Sequence, residues 1–187
     1  MTLSRKQVVL GTAAVLALGA AAFLLIVFGG VASVAGTDYH TALVHWVLRT
    51  TMESSVRTHA RGVQVPAGVN LQDRALAEKA FSHYSVACTS CHGAPGVKPA
   101  QWMVINPEAP PLVETAAKWN DAELCWIIKN GIKMTGMPAL GPTHRDEHLW
   151  AIAAFVRQLP TMTPDEYQAM ARRYEATKSS GHQHHGM

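Results

Sequence analysis

One short motif in this sequence has the residue types and the spacing that bind a cofactor. Residues 88–92 read Cys-Thr-Ser-Cys-His, which is a C-x-x-C-H motif. Two thiols three residues apart lie on one turn of helix, where they can bond to the two vinyl groups of a haem while the next residue ligates its iron. The motif therefore predicts one covalently attached haem c, with Cys88 and Cys91 as attachment residues and His92 as an iron ligand.

Other uses of this motif fit the sequence less well. A zinc ribbon needs a second pair of cysteines, and the only remaining cysteine is Cys125. A thioredoxin-type site needs alternating strands and helices around the motif, and that pattern is missing from the sequence. Cys125 itself lies in the apolar run AELCWII, where a small buried thiol without a redox role is expected.

The second iron ligand decides the function, because an iron held by one histidine has an open sixth position. In residues 130–142, glycines and prolines keep the chain irregular, and Pro138 forces Met137 into an extended conformation. A loop of this kind is suited to present a thioether to the iron. The sequence leaves four competing ligands open: Met103, Met134, His144 and His148.

Four segments carry a resemblance to a known family: CTSCHGAPG at 88–96, Pro110-Pro111-Leu112, WNDAELCWIIKNGIKMTGMPALG at 119–141 and DEHLWAIAAFVRQLP at 146–160. Over residues 71–160 the chain resembles the class I monohaem c-type cytochromes. More narrowly, it is similar to the membrane-anchored proteobacterial cytochromes whose haem domain resembles that of cytochrome oxidase subunits. The resemblance implies an all-α, class I cytochrome c fold in which a helix before the motif crosses a C-terminal helix. It also implies that Met137, in the Gly-Met-Pro unit, is the second iron ligand.

Both crossing helices are visible as apolar positions at helical spacing. Asp73 or Gln72 can cap the first helix, and Pro160 ends the last one. The apolar faces comprise Ala77, Ala80, Phe81 and Tyr84 in the first helix and Leu149, Trp150, Ile152, Ala153, Phe155 and Val156 in the last. Many relatives carry glycine eight residues before the first cysteine, where this chain has Ala80. The added methyl group is expected to widen the crossing slightly.

Three further residues are expected near the haem. An iron-ligating histidine donates its other ring N–H to a fixed acceptor, and the resemblance implies a proline carbonyl, here that of Pro110, as the partner of His92. Trp119 and Lys133 are candidate donors to the haem propionates. Trp126 is more simply a core residue.

The N-terminal region reads as a membrane segment. No charged residue occurs between residues 8 and 28, and about 20 apolar residues at about 1.5 Å each span the hydrocarbon core of a bilayer. Arg5 and Lys6 precede this segment, so the rest of the chain is expected outside the cytoplasm. A cleaved signal peptide with a small-x-small site at Ser33-Val34-Ala35 is the alternative, although the apolar stretch exceeds the roughly 7–15 residues of a signal core.

These features divide the chain into four regions. They are a membrane anchor or signal peptide at 1–36, a periplasmic helix and linker at 37–70, a cytochrome c haem domain at 71–160, and an extension at 161–187. Apolar spacing in 37–70 indicates a helix either on the membrane surface or packed on the domain, followed by the linker RGVQVPAGVN at 61–70. The extension ends in a His-rich tract, which either binds copper, zinc or nickel or stays solvated; its histidines are His182, His184 and His185.

Charge excludes a nucleic-acid partner. The net charge of +3 arises within residues 1–70, whereas residues 71–160 carry eight basic and eight acidic side chains. A His/Met-ligated iron has no open position, which predicts an electron-transfer cytochrome at the periplasmic face of the inner membrane, with redox proteins as donor and acceptor. One alternative is a haem subunit of a larger respiratory or dehydrogenase complex. Another is a gas sensor or peroxidase, which requires an open or labile sixth position.

Overall fold

The computed structural model describes residues 4–102 and 105–182, with side chains as far as residue 178. Within these residues the chain is helical and contains no β-strand, which confirms the predicted all-α class. The first helices are α1 (Arg5–Phe28), α2 (Ala42–Ala60), α3 (Arg74–Glu78), α4 (Phe81–His83), a π-helix (Tyr84–Cys88) and α5 (Thr89–His92). The later ones are α6 (Leu112–Thr115), a 3₁₀-helix (Ala116–Lys118), α7 (Asp121–Asn130), α8 (Asp146–Gln158), a second 3₁₀-helix (Leu159–Thr161) and α9 (Pro164–His182).

The chain forms two compact units, Met1–Asp38 and Tyr39–Met187, and helix α1 belongs to the first. Ser4 caps α1 through a capping box with Gln7. The helix buries no side chain, and its most apolar stretch has a mean hydropathy of 2.4. Its 24 residues span about 36 Å, which exceeds a hydrocarbon core of about 30 Å. Length and composition therefore support membrane anchoring, although a signal sequence shares both properties.

Helix α8 is the centre of the second unit. All eight residues from 149 to 156 are buried, so this helix is covered on every side. It packs against α3, before the motif, and against α7. This pairing agrees with the helix arrangement that the resemblance implies. Ala80 is fully buried in the same core, so the fold accommodates its methyl group.

The first of the paired helices is interrupted. Asp73 caps α3 by accepting a 2.9 Å hydrogen bond from the Ala75 amide. The helix ends at Glu78, and the chain continues as α4 and the π-helix, where the sequence pattern predicted a single helix. Single-turn π-helices are rare and are frequent at functional sites. This one ends at Cys88, the first residue of the motif.

Helix α7 is delimited by strong signals at both ends. The Asn120 side chain accepts from the Glu123 amide at 2.9 Å, and the Glu123 carboxylate accepts from the Asn120 amide at 2.8 Å. The helix stops at Gly131, whose φ is 64°. Its buried face includes Leu124 and Cys125. Burial raises the pKa of the Cys125 thiol to about 11, so this residue is the small buried group that its apolar neighbours predicted.

Helix α2 packs on α7 through its C-terminal half. Val56 and Ala60 are buried, and the ring of His59 lies 5.8 Å from that of Trp126. Trp126 is therefore a half-buried residue at this contact and not a member of the main core. The exposed apolar residues of the other half are Leu43, Val44, Trp46, Val47 and Leu48. The sequence predicted a helix either on the membrane surface or packed on the domain. The C-terminal half of α2 is packed on the domain.

The segment 61–70 breaks the helical pattern as predicted, but it is packed rather than extended away from the domain. Val63 and Val69 lie half-buried against the core. Leu71, two residues after Val69, is a buried member of that core. The Val69 amide donates a 3.0 Å hydrogen bond to the Pro66 carbonyl. These contacts hold α2 and the haem domain together as one unit.

Helix α9 brings part of the extension at 161–187 into the core. Tyr167 and Met170 are buried, and the ring of Tyr167 lies 5.4 Å from that of Phe81 in α4. An ion pair between Arg74 and Glu166 joins α3 to α9. The tail histidines His182, His184 and His185 lie outside the residues whose side chains are described. Their metal binding stays a prediction.

Candidate haem site

The C-x-x-C-H motif lies in a segment that is tied at both ends. The buried Tyr84 hydroxyl donates a 2.7 Å hydrogen bond to the Gly93 carbonyl, directly after α5. The Thr89 hydroxyl donates to the Tyr84 carbonyl at 3.1 Å. Gly93 has a φ of 68°, and a Cβ atom there would lie 2.8 Å from the Val97 carbonyl oxygen. Only glycine fits this turn, so the backbone on either side of the motif is fixed by local contacts.

Both cysteines of the motif are free thiols and are half-buried. Burial raises the pKa of the Cys88 thiol to about 11, and the neighbouring Cys91 adds to the shift. Cys88 is therefore protonated at neutral pH. A thioether forms when the S–H bond of a thiol adds across a vinyl group, and neither cysteine is occupied by a disulfide.

The His92 ring is oriented by a backbone carbonyl. Its Nδ1 lies 2.8 Å from the Pro110 oxygen, which is the contact expected from the sequence. Because a carbonyl only accepts, Nδ1 carries the hydrogen and Nε2 keeps its lone pair. Burial lowers the pKa of His92, and the bond to Pro110 opposes part of this shift. The ring is therefore neutral at pH 7 and is held in the way that metal-ligating histidines are held.

The loop after α7 fixes the backbone of Met137. The Ile132 amide donates to the Met137 carbonyl at 3.2 Å, and the Met137 amide donates to the Thr135 hydroxyl at 3.1 Å. At Gly131 a Cβ atom would lie 2.7 Å from the Met137 carbonyl oxygen, so the loop closes tightly on the end of the helix. In contrast, Met134 is 91% exposed. These contacts favour Met137 over Met134 as the iron ligand.

The three other competing ligands are not described beside Met137. His144 and His148 meet His83 in a separate cluster. Met103 lies outside the described residues. His83 carries no signal for this contact in the sequence, because no local pattern connects it with two histidines about sixty positions away.

Trp119 and Lys133 have different surroundings. Trp119 is half-buried, with the Arg57 guanidinium 6.0 Å and the Lys118 ammonium 5.3 Å from its ring centroid. Its carbonyl accepts a 2.6 Å hydrogen bond from Arg157. Lys133 is exposed in the loop that carries Met137. A role of either residue toward the haem propionates stays a prediction.

Comparison with known proteins identifies the segment that contains this site. Residues 75–156 match the family model described as cytochrome c oxidase, cbb3-type, subunit III. These residues form a c-type cytochrome domain. The cytochrome domain includes the whole motif, Pro110, Met137 and most of α8. No curated protein and no solved structure shows significant similarity to the chain.

A cytochrome domain of this type holds haem c, with its iron, through covalent bonds. The donor set in the structure fits this group. Cys88 and Cys91 offer two free thiols, and His92 offers a ring nitrogen with its other nitrogen engaged. The loop at Met137 adds a thioether whose backbone position is fixed. The predicted cofactor is therefore confirmed at the level of the family, and the ligand assignments belong to the proposal below.

Proposed function

We propose that the protein carries single electrons at the periplasmic face of the membrane, with His92 and Met137 as the two iron ligands. When bound, the haem supplies a one-electron redox couple, and methionine ligation raises its reduction potential. Cys88 and Cys91 hold the group covalently. Filling both axial positions leaves no site for a substrate, so the chemistry available is electron transfer.

The observation that supports this proposal is that protein contacts hold the ring of one proposed ligand and the backbone of the other. The Pro110 carbonyl orients His92, and Ile132 and Thr135 hold the backbone of Met137. The ring of His92 and the backbone of Met137 are therefore held by contacts within the protein. A site held in this way changes little between oxidation states, and a small rearrangement favours fast electron transfer.

An optical spectrum of the purified holoprotein tests the ligand assignment. We expect a weak sulfur-to-iron charge-transfer band in the oxidised protein and no spectral shift when carbon monoxide is added to the reduced protein. Ready carbon monoxide binding without that band would overturn the assignment of Met137. That result would favour the sensor or peroxidase class, which needs an accessible iron.

The location proposed for the carrier rests on helix α1 and on the basic residues Arg5 and Lys6 at its start. We expect the protein in the membrane fraction, with the cytochrome domain accessible to protease added to spheroplasts. A soluble periplasmic protein that begins after Ala35 would instead identify α1 as a cleaved signal sequence. Protection from protease in intact spheroplasts would reverse the proposed orientation.

The partners proposed for the carrier are other redox proteins. Because residues 71–160 are balanced in charge, strong electrostatic steering of these encounters is not expected. Confinement to the membrane plane replaces steering as the means of raising the encounter rate. We therefore expect electron transfer rates of the anchored protein to depend weakly on ionic strength.

A second candidate function is that of a haem subunit in a larger respiratory complex. Two observations favour it: the matched family is described as an oxidase subunit, and the N-terminal half of α2 exposes apolar residues such as Trp46 and Leu48. Purification from membranes in a mild detergent distinguishes the candidates. Partner subunits that remain bound through a high-salt wash support the complex, whereas a monodisperse single chain supports the free carrier.

A further inference from the structure

A cluster of three histidines lies where α4 approaches the beginning of α8. His83 ends α4, His144 lies in the loop before α8, and His148 lies in the first turn of α8. One ring nitrogen of each residue lies within 4.8 Å of the others. The His83 ring centroid is 4.6 Å from that of His144 and 5.2 Å from that of His148. The three rings therefore converge on one point.

One ring nitrogen of His83 is left without a hydrogen bond in the part of the chain that the structure describes. This atom, Nε2, is buried. Buried polar atoms are nearly always paired, so an exception calls for an explanation. Burial, together with the neighbouring His144 and His148, lowers the pKa of His83, which keeps the ring neutral and its lone pair available.

His144 is held in the tautomer that a metal ligand needs. Its Nδ1 lies 3.2 Å from the Leu140 carbonyl oxygen and 2.9 Å from the Thr143 hydroxyl. Because the Leu140 carbonyl only accepts, the hydrogen of His144 lies on Nδ1 and its Nε2 is free to bind. Thr143 also donates to the same carbonyl at 3.2 Å, which fixes its hydroxyl as an acceptor toward His144. This is the outer hydrogen bonding that orients metal-bound histidines.

The acidic residues next to the cluster are engaged with basic side chains. Asp146 forms a 2.7 Å ion pair with Lys129, and Glu147 forms a 3.3 Å ion pair with Arg145. These pairs satisfy both carboxylates by contacts outside the three rings. Charge pairing of a protonated histidine therefore does not account for the cluster.

We propose that His83, His144 and His148 form a second metal site that binds one divalent zinc or copper ion. Imidazole nitrogen is a preferred ligand of both ions. Two nitrogens on a tetrahedral zinc lie about 3.4 Å apart at bond lengths of about 2.0–2.1 Å. Side-chain rotations that move each nitrogen by about 1 Å therefore bring the three histidines to binding distance. Three protein ligands leave a fourth position for water or another exchangeable ligand.

The bound ion would connect the two halves of the haem site. His83 directly precedes the π-helix that leads to Cys88, and His144 follows Met137 by one short loop. An ion held here links the attachment segment to the end of the loop that carries the thioether.

Zinc binding by the full-length holoprotein tests the site. The tail histidines are first replaced in all samples (His182→Gln, His184→Gln and His185→Gln), so that the tail does not contribute. We expect one zinc ion per chain in competition with a chromophoric chelator, and three nitrogen ligands at about 2.0 Å in zinc-edge X-ray absorption. Copper is titrated in parallel. If the protein binds copper but not zinc, and if copper binding is lost when any of the three histidines is replaced, the site is supported and assigned to copper.

Single substitutions separate this site from other metal binding. His83→Gln and His148→Gln should each weaken binding by at least the roughly 10- to 100-fold that loss of an outer-shell partner costs. His45→Gln, on the exposed half of α2, is the matched control and should bind zinc as tightly as the parent. Binding unchanged in His83→Gln, or no stoichiometric zinc or copper in the parent, would overturn the proposal. The haem spectrum of each variant shows that it is folded, and it reports on the haem ligands independently of the second site.

Discussion

Replacing Tyr84 by phenylalanine removes one hydroxyl from the centre of the haem-attachment segment. That hydroxyl donates a 2.7 Å hydrogen bond to the Gly93 carbonyl, and both residues are buried. Burial raises the pKa of Tyr84, so the hydroxyl is a donor at every pH at which the protein is handled. In the variant the Gly93 oxygen loses this partner, and a buried acceptor left unpaired costs about 1–3 kcal/mol.

Thermal unfolding of the holoprotein measures this cost. For a chain of this size each kcal/mol shifts Tm by roughly 2–4 °C, so a loss of about 2 kcal/mol lowers Tm by about 4–8 °C. Tyr39→Phe is the matched control, because Tyr39 is 85% exposed and its hydroxyl should contribute less than about 0.5 kcal/mol. Equal Tm values for the two variants would refute the claim that the Tyr84 hydroxyl ties the segment together.

Three further predictions concern the second ligand and helix α9. Met137→Ala should abolish the sulfur-to-iron band and open the reduced iron to carbon monoxide, whereas Met134→Ala should leave both unchanged; the reverse pattern would exchange their roles. Gly131→Ala should cost about 1 kcal/mol or more in denaturant unfolding and weaken the same band, because φ is 64° and the new Cβ meets the Met137 carbonyl. Hydrogen bonds from the Thr163 amide, the Arg74 guanidinium and the Thr163 hydroxyl together lower the pKa of Glu166 from 4.5 to about 2, so its stabilisation is present above pH 4.5 and lost as the pH falls toward 2. Melting curves of Glu166→Gln and the parent should therefore differ at neutral pH and converge near pH 2; a constant difference would contradict this reasoning.

Much of the haem site was predictable because its signals are local. Cys88, Cys91 and His92 lie within five consecutive positions, and their spacing alone specifies the chemistry. The contact between His92 and Pro110 required the family resemblance as well, because it spans eighteen positions that no periodicity connects. Asn120 and Glu123, three residues apart, form an equally local start signal for α7 that was not among the predictions made from the sequence.

The features that the sequence did not predict depend on tertiary packing. The cluster at His83 forms only because α4 and α8 meet, and no spacing rule links residues so far apart. Helix α9 is polar over most of its surface, so its buried contacts through Tyr167 and Met170 give a weak pattern. The break after α3 occurs without proline or glycine, so the chain gives no local signal that the helix stops there.

The packing of α2 on α7 limits how far the cytochrome domain can travel from a retained anchor. Because α2 and the segment 61–70 are both packed on the domain, the chain free to extend is the non-helical stretch of residues 29–41. Thirteen residues reach at most about 45 Å when fully extended. The donor and acceptor must therefore present their docking surfaces within that length plus the diameter of the domain, measured from the point where a retained α1 leaves the bilayer. Within that distance, the tether gives the domain a high effective concentration, and beyond it a partner is out of reach whatever its affinity.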